Sequence, residues 1–459
     1  VTRSRLAAVL IAFVALVAPT SSAMATVPAQ APTASVVHLG YCGGDDWEPD
    51  VARDGQYVYA VYKHFPGATD CVPDSTSPRA IYLQVSADAG STFGAPHAVF
   101  TGAIDGVTYT NQADPTVAVD AAGDVYVAFL GYGLNGGHTD VVVARSTDRG
   151  ASFTAAKVSA KGCKNCDHEK IVASGSDLYV AYSQATNHFI SLSSDHGATW
   201  TQSTVLRAGV VAFAEGGVVD ASGNVWFAWA DCQTSSCVGV PAVDYRVSRT
   251  TAGTLETTFT DVATSVQGPD CPFKSCGFAY FGPQDDIAID AAGTLYVAWG
   301  QGQDASTRKS PPIVNLSRST DGGHSWTFLG RADDKQAAGC ADASCYAVFP
   351  AILGGAPGTV SVAWMDDRLG DPIDHMNGWN VWLRTSTDGG ATWTGPSERI
   401  SAYDPAQAQS GPNGFAFPYG DYMGMTTSAC GAPMLVWGEG FDWDGGPDVP
   451  GHIQFRSAC

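Results

Sequence analysis

A short β-rich run ending at or close to an aromatic recurs seven times: YVYAVY (57–62), DVYVAF (124–129), DLYVAY (177–182), NVWFAW (224–229), TLYVAW (294–299), TVSVAW (359–364) and PMLVW (433–437). Recurrence at about 45–75 residues restricts the chain to a repeat architecture, since one such unit cannot cover both of its own faces. Most copies complete a hairpin, as in TVAVDAAGDVYVAF, VVDASGNVWFAW and IAIDAAGTLYVAW. In these turns Asp closes an Asx turn and Gly takes a positive φ. A third strand such as DVVVARS or NVWLRTS and a fourth such as AAKVSA or STVLRA complete a four-stranded antiparallel meander, strands A to D. Seven meanders cover one another only in a ring, so the expected fold is an all-β, seven-bladed β-propeller. The last unit supplies A (about 419–426), B and C but no D. SVVHLG (35–40) is expected to fill that place and close the ring.

An octapeptide, S-x-D-x-G-x-x-W/F, stands at the C–D turn of five units: SADAGSTF (86–93), STDRGASF (146–153), SSDHGATW (193–200), STDGGHSW (319–326) and STDGGATW (386–393). Its Asp can accept backbone N–H groups of its own turn, its Gly can take the left-handed conformation, and its aromatic can tuck between sheets. Asp88, Asp148, Asp195, Asp321 and Asp388 are therefore read as structural. SRTTAGTLETTF (248–259) reads as a degraded fourth copy. This turn is similar to the Asp box, and residues 35–459 resemble the Asp-box (BNR-repeat) proteins of the sialidase superfamily.

The amino terminus reads as a signal peptide over 1–25. Arg3 and Arg5 precede an apolar run at 6–17, and Ala23-Met24-Ala25 is a small-x-small cleavage site. A flexible leader at 26–34 then precedes a single propeller domain at 35–459. The apolar run is too short to span a bilayer comfortably, so no membrane span is expected and the chain reads as a secreted bacterial protein. A formal net charge of −21 repels nucleic acid and anionic lipid, and suits cations, neutral sugars or solubility alone. Twelve cysteines in an exported chain indicate disulfides. The repeat suggests the pairs Cys42–Cys71, Cys163–Cys166, Cys232–Cys237, Cys271–Cys276, Cys340–Cys345 and Cys430–Cys459. A metal site at Cys163, Cys166 and His168 is the alternative. No cofactor is required; Ca2+ is the candidate cation. A monomer is expected.

Strand direction puts the D–A and B–C loops on one face, here called upper, and the A–B and C–D turns on the other. The inner strands begin with Glu48, Asp114, Asp167 and Glu169, Glu215, Asp285 and Asp286, and Asp421; only the sixth, at Phe349-Pro350, lacks an acid. Carboxylates converging on an axis suit a cation or sugar hydroxyls, or are simply solvated loop ends. Two B–C loops pair aromatics with acids, as sugar binding requires. One (365–379) carries Asp366, Asp367, Arg368 and Trp379; the other (438–451) carries Glu439, Asp442, Trp443, Asp444 and Asp448. Arg368 paired to Asp366 or Asp367 is the structural alternative.

The resemblance implies a Tyr nucleophile activated by Glu, an Asp acid/base and three arginines that clamp a carboxylate. Within PYGDYMG (418–424), Tyr422 is the candidate nucleophile, with Glu439 as activator; a different hydrolysis by two facing carboxylates would pair Asp421 with Asp367 or Glu48. The first arginine of the clamp has no counterpart, because its place reads DDWEPDVA. Arg145, Arg318 and Arg384 stand beside the octapeptides and read as structural. The expected function is glycan or polysaccharide binding on the upper face without sialidase catalysis. The alternatives are a glycoside hydrolase, sialidase-like or endo-glucanase-like, and an extracellular protein-interaction scaffold.

Overall fold

The structure, a computed structural model, describes residues 36–40, 45–65, 79–133, 139–159, 163, 166–184, 186–207, 209, 211–233, 242–265, 284–302, 311–336, 340, 345–370, 377–401, 406–407, 422–439 and 452–457. Seven antiparallel sheets form the propeller. Each inner strand A is followed by B and C, with D outermost. In the first blade these are Asp45–Asp54, Tyr57–Phe65, Ile81–Ser86 and His97–Ala98. The seven B strands are the repeated runs of the sequence. They are buried almost throughout, as in Val125–Gly133 and Val225–Cys232, because neighbouring blades cover both faces. That double cover explains why they read as continuous apolar runs and not as an alternation.

The core lies between blades. One apolar cluster joins Tyr59, Val61, Ile81 and Leu83 of the first blade to Val117, Val125, Val127 and Phe129 of the second. Trp229, Trp364 and Trp437 are fully buried in equivalent clusters, and burying a large side chain contributes about 1.5–3 kcal/mol.

The last blade has only three late strands: Gly424–Thr427, Pro433–Glu439 and His452–Ser457. Its fourth is Val36–Leu39, antiparallel to His452–Ser457 with Val36 opposite Arg456 and Leu39 opposite Ile453. The expected closure by the amino-terminal strand is therefore observed.

All five octapeptides make one hydrogen-bond pattern. In the second blade Ser146 Oγ donates to Asp148 Oδ1 at 2.7 Å and receives the Gly150 N–H at 2.7 Å. Asp148 also accepts the Ser152 N–H at 2.9 Å and its hydroxyl at 2.5 Å. The same four contacts recur around Asp88, Asp195, Asp321 and Asp388. Gly150 has φ 86°, and a Cβ there would sit 2.5 Å from Leu83 of the preceding blade. Glycine is required both for the turn and for the close approach. The closing aromatics Phe93, Phe153, Trp200, Trp326 and Trp393 pack half-buried against inter-blade clusters.

Cys163–Cys166 and Cys340–Cys345 are disulfides in upper D–A loops, with Cα–Cα separations of 5.5 and 6.0 Å. Cys232 and Cys430 are also disulfide-bonded. Cys42, Cys71, Cys237, Cys271, Cys276 and Cys459 lie outside the described residues, as do residues 1–34, where a signal peptide and leader are expected. No helix among the described residues is long and apolar enough to cross a membrane.

Candidate functional site

Most inner strands break register near their upper ends, with bulges between Trp47 and Asp50, Ala113 and Thr116, Asp167 and Lys170, Ala214 and Gly216, and Val348 and Ala351. Glu48, Asp114, His168 and Phe349 take positive φ there (54°, 56°, 53° and 53°). Non-glycine residues adopt that region only when their surroundings hold them in it. A bulge re-aims the side chains beside it, and here it turns a ring of polar groups toward the axis.

Some of these groups lock blade to blade. Asp50 accepts the Val51 N–H and the Val117 N–H of the next blade, each at 2.8 Å. Asp286 repeats the device with Ile287 at 2.8 Å and Ile352 at 3.0 Å. Glu48 accepts the Asp114 N–H at 2.9 Å, and Gln284 the Phe349 N–H at 3.0 Å. Inside this ring is a channel of about 270 Å³, whose polar lining includes Asp50, Lys170, Glu215, Asp285, Asp286 and Tyr422. Lys170 Nζ stands 4.3 Å over the Tyr422 ring, and the His168 ring meets Tyr422 edge-on at 6.0 Å. Among the described lining residues there is no arginine.

Carboxylates outnumber cations here, and burial shifts their protonation. Burial pushes Asp286 up to about 7, against its two N–H donors and Lys170. It also raises Glu169, helped by Asp114 and opposed by Lys170. Asp285 is raised by burial and by Glu215, Asp286 and Asp231. For His168 burial opposes the charge, but Glu215, Asp167 and Asp114 outweigh it and lift the imidazole to about 10; its Nδ1 stands 3.2 Å from Glu215.

These shifts predict the pH dependence of stability. The raised carboxyls, Asp286 among them and Glu439 at about 8, favour folding below their unfolded values, and that advantage is lost as pH rises through the folded ones. His168, also raised, adds to the loss on the alkaline side. The turn carboxylates run the other way: hydrogen bonds from the fourth residue onward hold Asp88, Asp148, Asp195 and Asp388 at about 2. Their contribution is present above about 4 and is lost as pH falls toward 2. Urea midpoints should peak at mildly acidic pH and be lower at about pH 8 than at about pH 5; a flat or rising profile between those two points would contradict the assignment.

Of the acids expected at the axis, Glu215, Asp285 and Asp286 line the channel, while Glu48, Asp114, Asp167 and Glu169 group beside it; the two loop groups are separated. Trp379 is not in a B–C loop. It belongs to strand C of the sixth blade, Asn377–Ser386, is 0% exposed, and packs with Val348, Met365 and Trp437. It offers no face to a sugar, because the strand starts earlier than the loop reading allowed. Trp379→Ala should cost about 3–5 kcal/mol of stability, measured by denaturant unfolding, and not act as a selective binding lesion. Arg368 follows its structural alternative: Nη2 meets Asp366 at 2.6 Å and Asp334 at 2.9 Å, and the guanidinium stacks 4.0 Å over Trp382. Asp367 accepts the Tyr346 N–H at 2.7 Å. Asp366 and Asp367 are both fully buried.

Glu439 accepts from Trp437 Nε1 at 2.7 Å within its own blade and lies outside the described channel lining, whereas Tyr422 faces Lys170 and His168. Asp421, Trp443 and the acids Asp442, Asp444 and Asp448 of the 438–451 loop fall outside the described residues. Arg145 holds Asp124 at 2.5 Å, Arg318 donates to the Gly389 carbonyl at 2.8 Å, and Arg384 donates to the Gly395 carbonyl at 3.2 Å and to the Ala332 carbonyl at 3.1 Å. The Cys163–Cys166 disulfide removes the thiolates that a metal site with His168 would need. Asp50 and Lys170 were not anticipated. Aligning the bulges as EPDV, DPTV and HEKI would have placed both in the ring.

No protein-family model and no curated protein sequence matches this chain. Among solved structures, the phage phi92 endosialidase superposes with a TM-score of 0.51 at 9% identity, covering 92% of this chain and 68% of that one. Trypanosoma rangeli sialidase in complex with sialic acid gives 0.48 at 9% identity, over 93% of this chain and 59% of that one. A protein of unknown function from Dyadobacter fermentans gives 0.46 at 11%, over 92% and 98%. At such identities the likeness to the phage enzyme is one of fold alone.

Proposed function

We propose that this chain is a secreted, monomeric Asp-box propeller of the sialidase superfamily that binds a glycan at the upper mouth of its central channel, without sialidase chemistry. The observation that supports this is the convergence of Tyr422, Lys170 and a ring of carboxyls on one channel. An aromatic face covers the apolar side of a sugar ring while acceptors take its hydroxyls. The shared hydrogen-bond pattern of the five turns favours the Asp-box reading. Disulfides in the upper loops favour an oxidising, extracellular setting. A sialidase holds its anionic substrate with forked arginine contacts; this mouth presents acid in their place.

Binding to a polysaccharide panel tests the reading. The mature chain should retain at least one glycan, and Tyr422→Ala should weaken it about three- to tenfold. Retention of no carbohydrate, with capture of one protein partner indifferent to added sugar, would make the chain a scaffold. A hydrolytic reading is favoured by one observation: burial raises Asp167 against the neighbouring His168, with Asp114 adding to the rise, the environment of a carboxylic general acid. Turnover of a glycan that is retained on binding and lost in Asp167→Asn would establish it.

A further inference from the structure

Nearly every carboxyl at the axis is answered by the chain itself. Asp50 and Asp286 each accept two backbone N–H groups, Glu48 accepts one, and Glu215 faces His168. Glu169 also has two oxygens without a hydrogen-bond partner, but it stands outside the described channel lining and Lys170 acts on it. Asp285 has no such cation. It lines the channel, is 3% exposed, and neither of its carboxyl oxygens has a hydrogen-bond partner. Every charged group that acts on it is another carboxylate: Glu215, Asp286 and Asp231. A buried polar group in that state is costly and calls for an explanation. A cationic ligand supplies one, because it brings the missing donors and charge.

The geometry further selects the kind of cation. Calcium takes six to eight oxygens. Among the described residues, the one set of three ligand-type groups whose atoms all lie within 4.8 Å of one another is Asp120, Asp124 and His196. That set is at an A–B turn on the opposite face, where Asp124 already holds Arg145 at 2.5 Å. Among the described residues the channel mouth therefore holds no calcium cage. An ammonium group needs only two or three acceptors for its three N–H donors, and Asp285 with Glu215 beside it can provide them. A channel of about 270 Å³ lies at the small end of ligand pockets, the size of a single residue of a glycan.

We propose that Asp285 seats the ammonium of an amino sugar, so that the glycan taken at the channel mouth carries free amines. This rests on the glycan reading above and narrows it.

The test is titration calorimetry of the full mature chain with three hexamers: β-1,4-linked glucosamine, its N-acetylated form and cellohexaose, each against wild type and Asp285→Asn. Asparagine keeps the shape and removes the charge, so thermal unfolding of the variant should match wild type or lie higher. The wild type should prefer the free-amine hexamer over the acetylated one by about tenfold or more, the usual size of a charge-assisted hydrogen bond. In Asp285→Asn that ratio should fall to near one, because the amine hexamer loses about tenfold or more in affinity while the acetylated hexamer and cellohexaose change less; a loss of ligand-independent structure would weaken all three alike. Equal affinity for the amine and acetylated forms in wild type would overturn the inference and leave glycan binding standing. An amine preference that survives in Asp285→Asn would overturn the assignment to Asp285. Calcium chloride that displaces the amine hexamer from wild type but does not bind Asp285→Asn would overturn the ammonium seat in favour of a metal. Failure of all three hexamers to bind would overturn the inference, and the glycan reading would fall with it only if the polysaccharide panel also went unbound.

Discussion

Gly354→Ala should destabilise the ring by about 3 kcal/mol or more, an overpacking effect at the top of the usual range. A Cβ at that position would lie 2.0 Å from the Ile289 carbonyl oxygen, 2.3 Å from its carbon and 2.8 Å from the Asp290 nitrogen. All three are backbone atoms at the end of the neighbouring inner strand, so no rotamer change relieves the clash; the two blades must separate. Gly424→Ala should act in the same direction, with contacts of 2.8 Å to Asp50 Cα and Val51 N. Gly395 is the control: nothing lies within 4 Å of its added Cβ and its φ is not positive. Gly395→Ala should change stability by less than about 0.5 kcal/mol. Denaturant midpoints of the three variants, compared with wild type, decide the matter. A Gly354→Ala protein as stable as the control would mean that the inner strands are not packed this closely.

A chain lacking residues 1–40 should lose the closed ring. Four Cα pairs join Val36–Leu39 to His452–Ser457, and Leu39 packs with Val51, Tyr62 and Phe455 in the cluster that bridges the first and last blades. Losing Leu39 alone removes about 2–5 kcal/mol. Losing the strand also leaves the last blade with a bare edge, a template for pairing with another chain. The truncated protein should therefore unfold at lower denaturant and elute partly as aggregate in size-exclusion chromatography. A synthetic peptide covering residues 33–41 should bind it and restore the midpoint. Equal stability of the truncated and full chains, or a peptide without effect, would show that the ring is held elsewhere.

Repetition made the fold legible. The hairpin Asp-Ala-Ala-Gly and the S-x-D-x-G turn each dictate local backbone geometry through one carboxylate and one glycine, and copying them reports the architecture several times over. The missing last D strand and the spare SVVHLG could be matched by counting. The acidic starts of the inner strands were legible too, because they recur in register. Long-range packing was less so. Trp379 looks like a loop aromatic in DHMNGW, yet a strand beginning at Asn377 carries it into the core. Arg368 next to two acids was open between ligand and structure until Asp334, 34 residues earlier in the chain, was found to share it. Lys170 escaped notice because one lysine among acids reads as ordinary surface charge; only the bulge between Asp167 and Lys170 turns it to the axis.

The upper mouth of the channel as the ligand seat is tested most directly by a crystal structure of the protein soaked with an oligosaccharide that it binds. The sugar should lie against Tyr422, between Lys170 and the wall formed by Glu215 and Asp285. A sugar found on the outer strands or on the face of the Asp-containing turns, with the channel free of it at saturating concentration, would contradict the account.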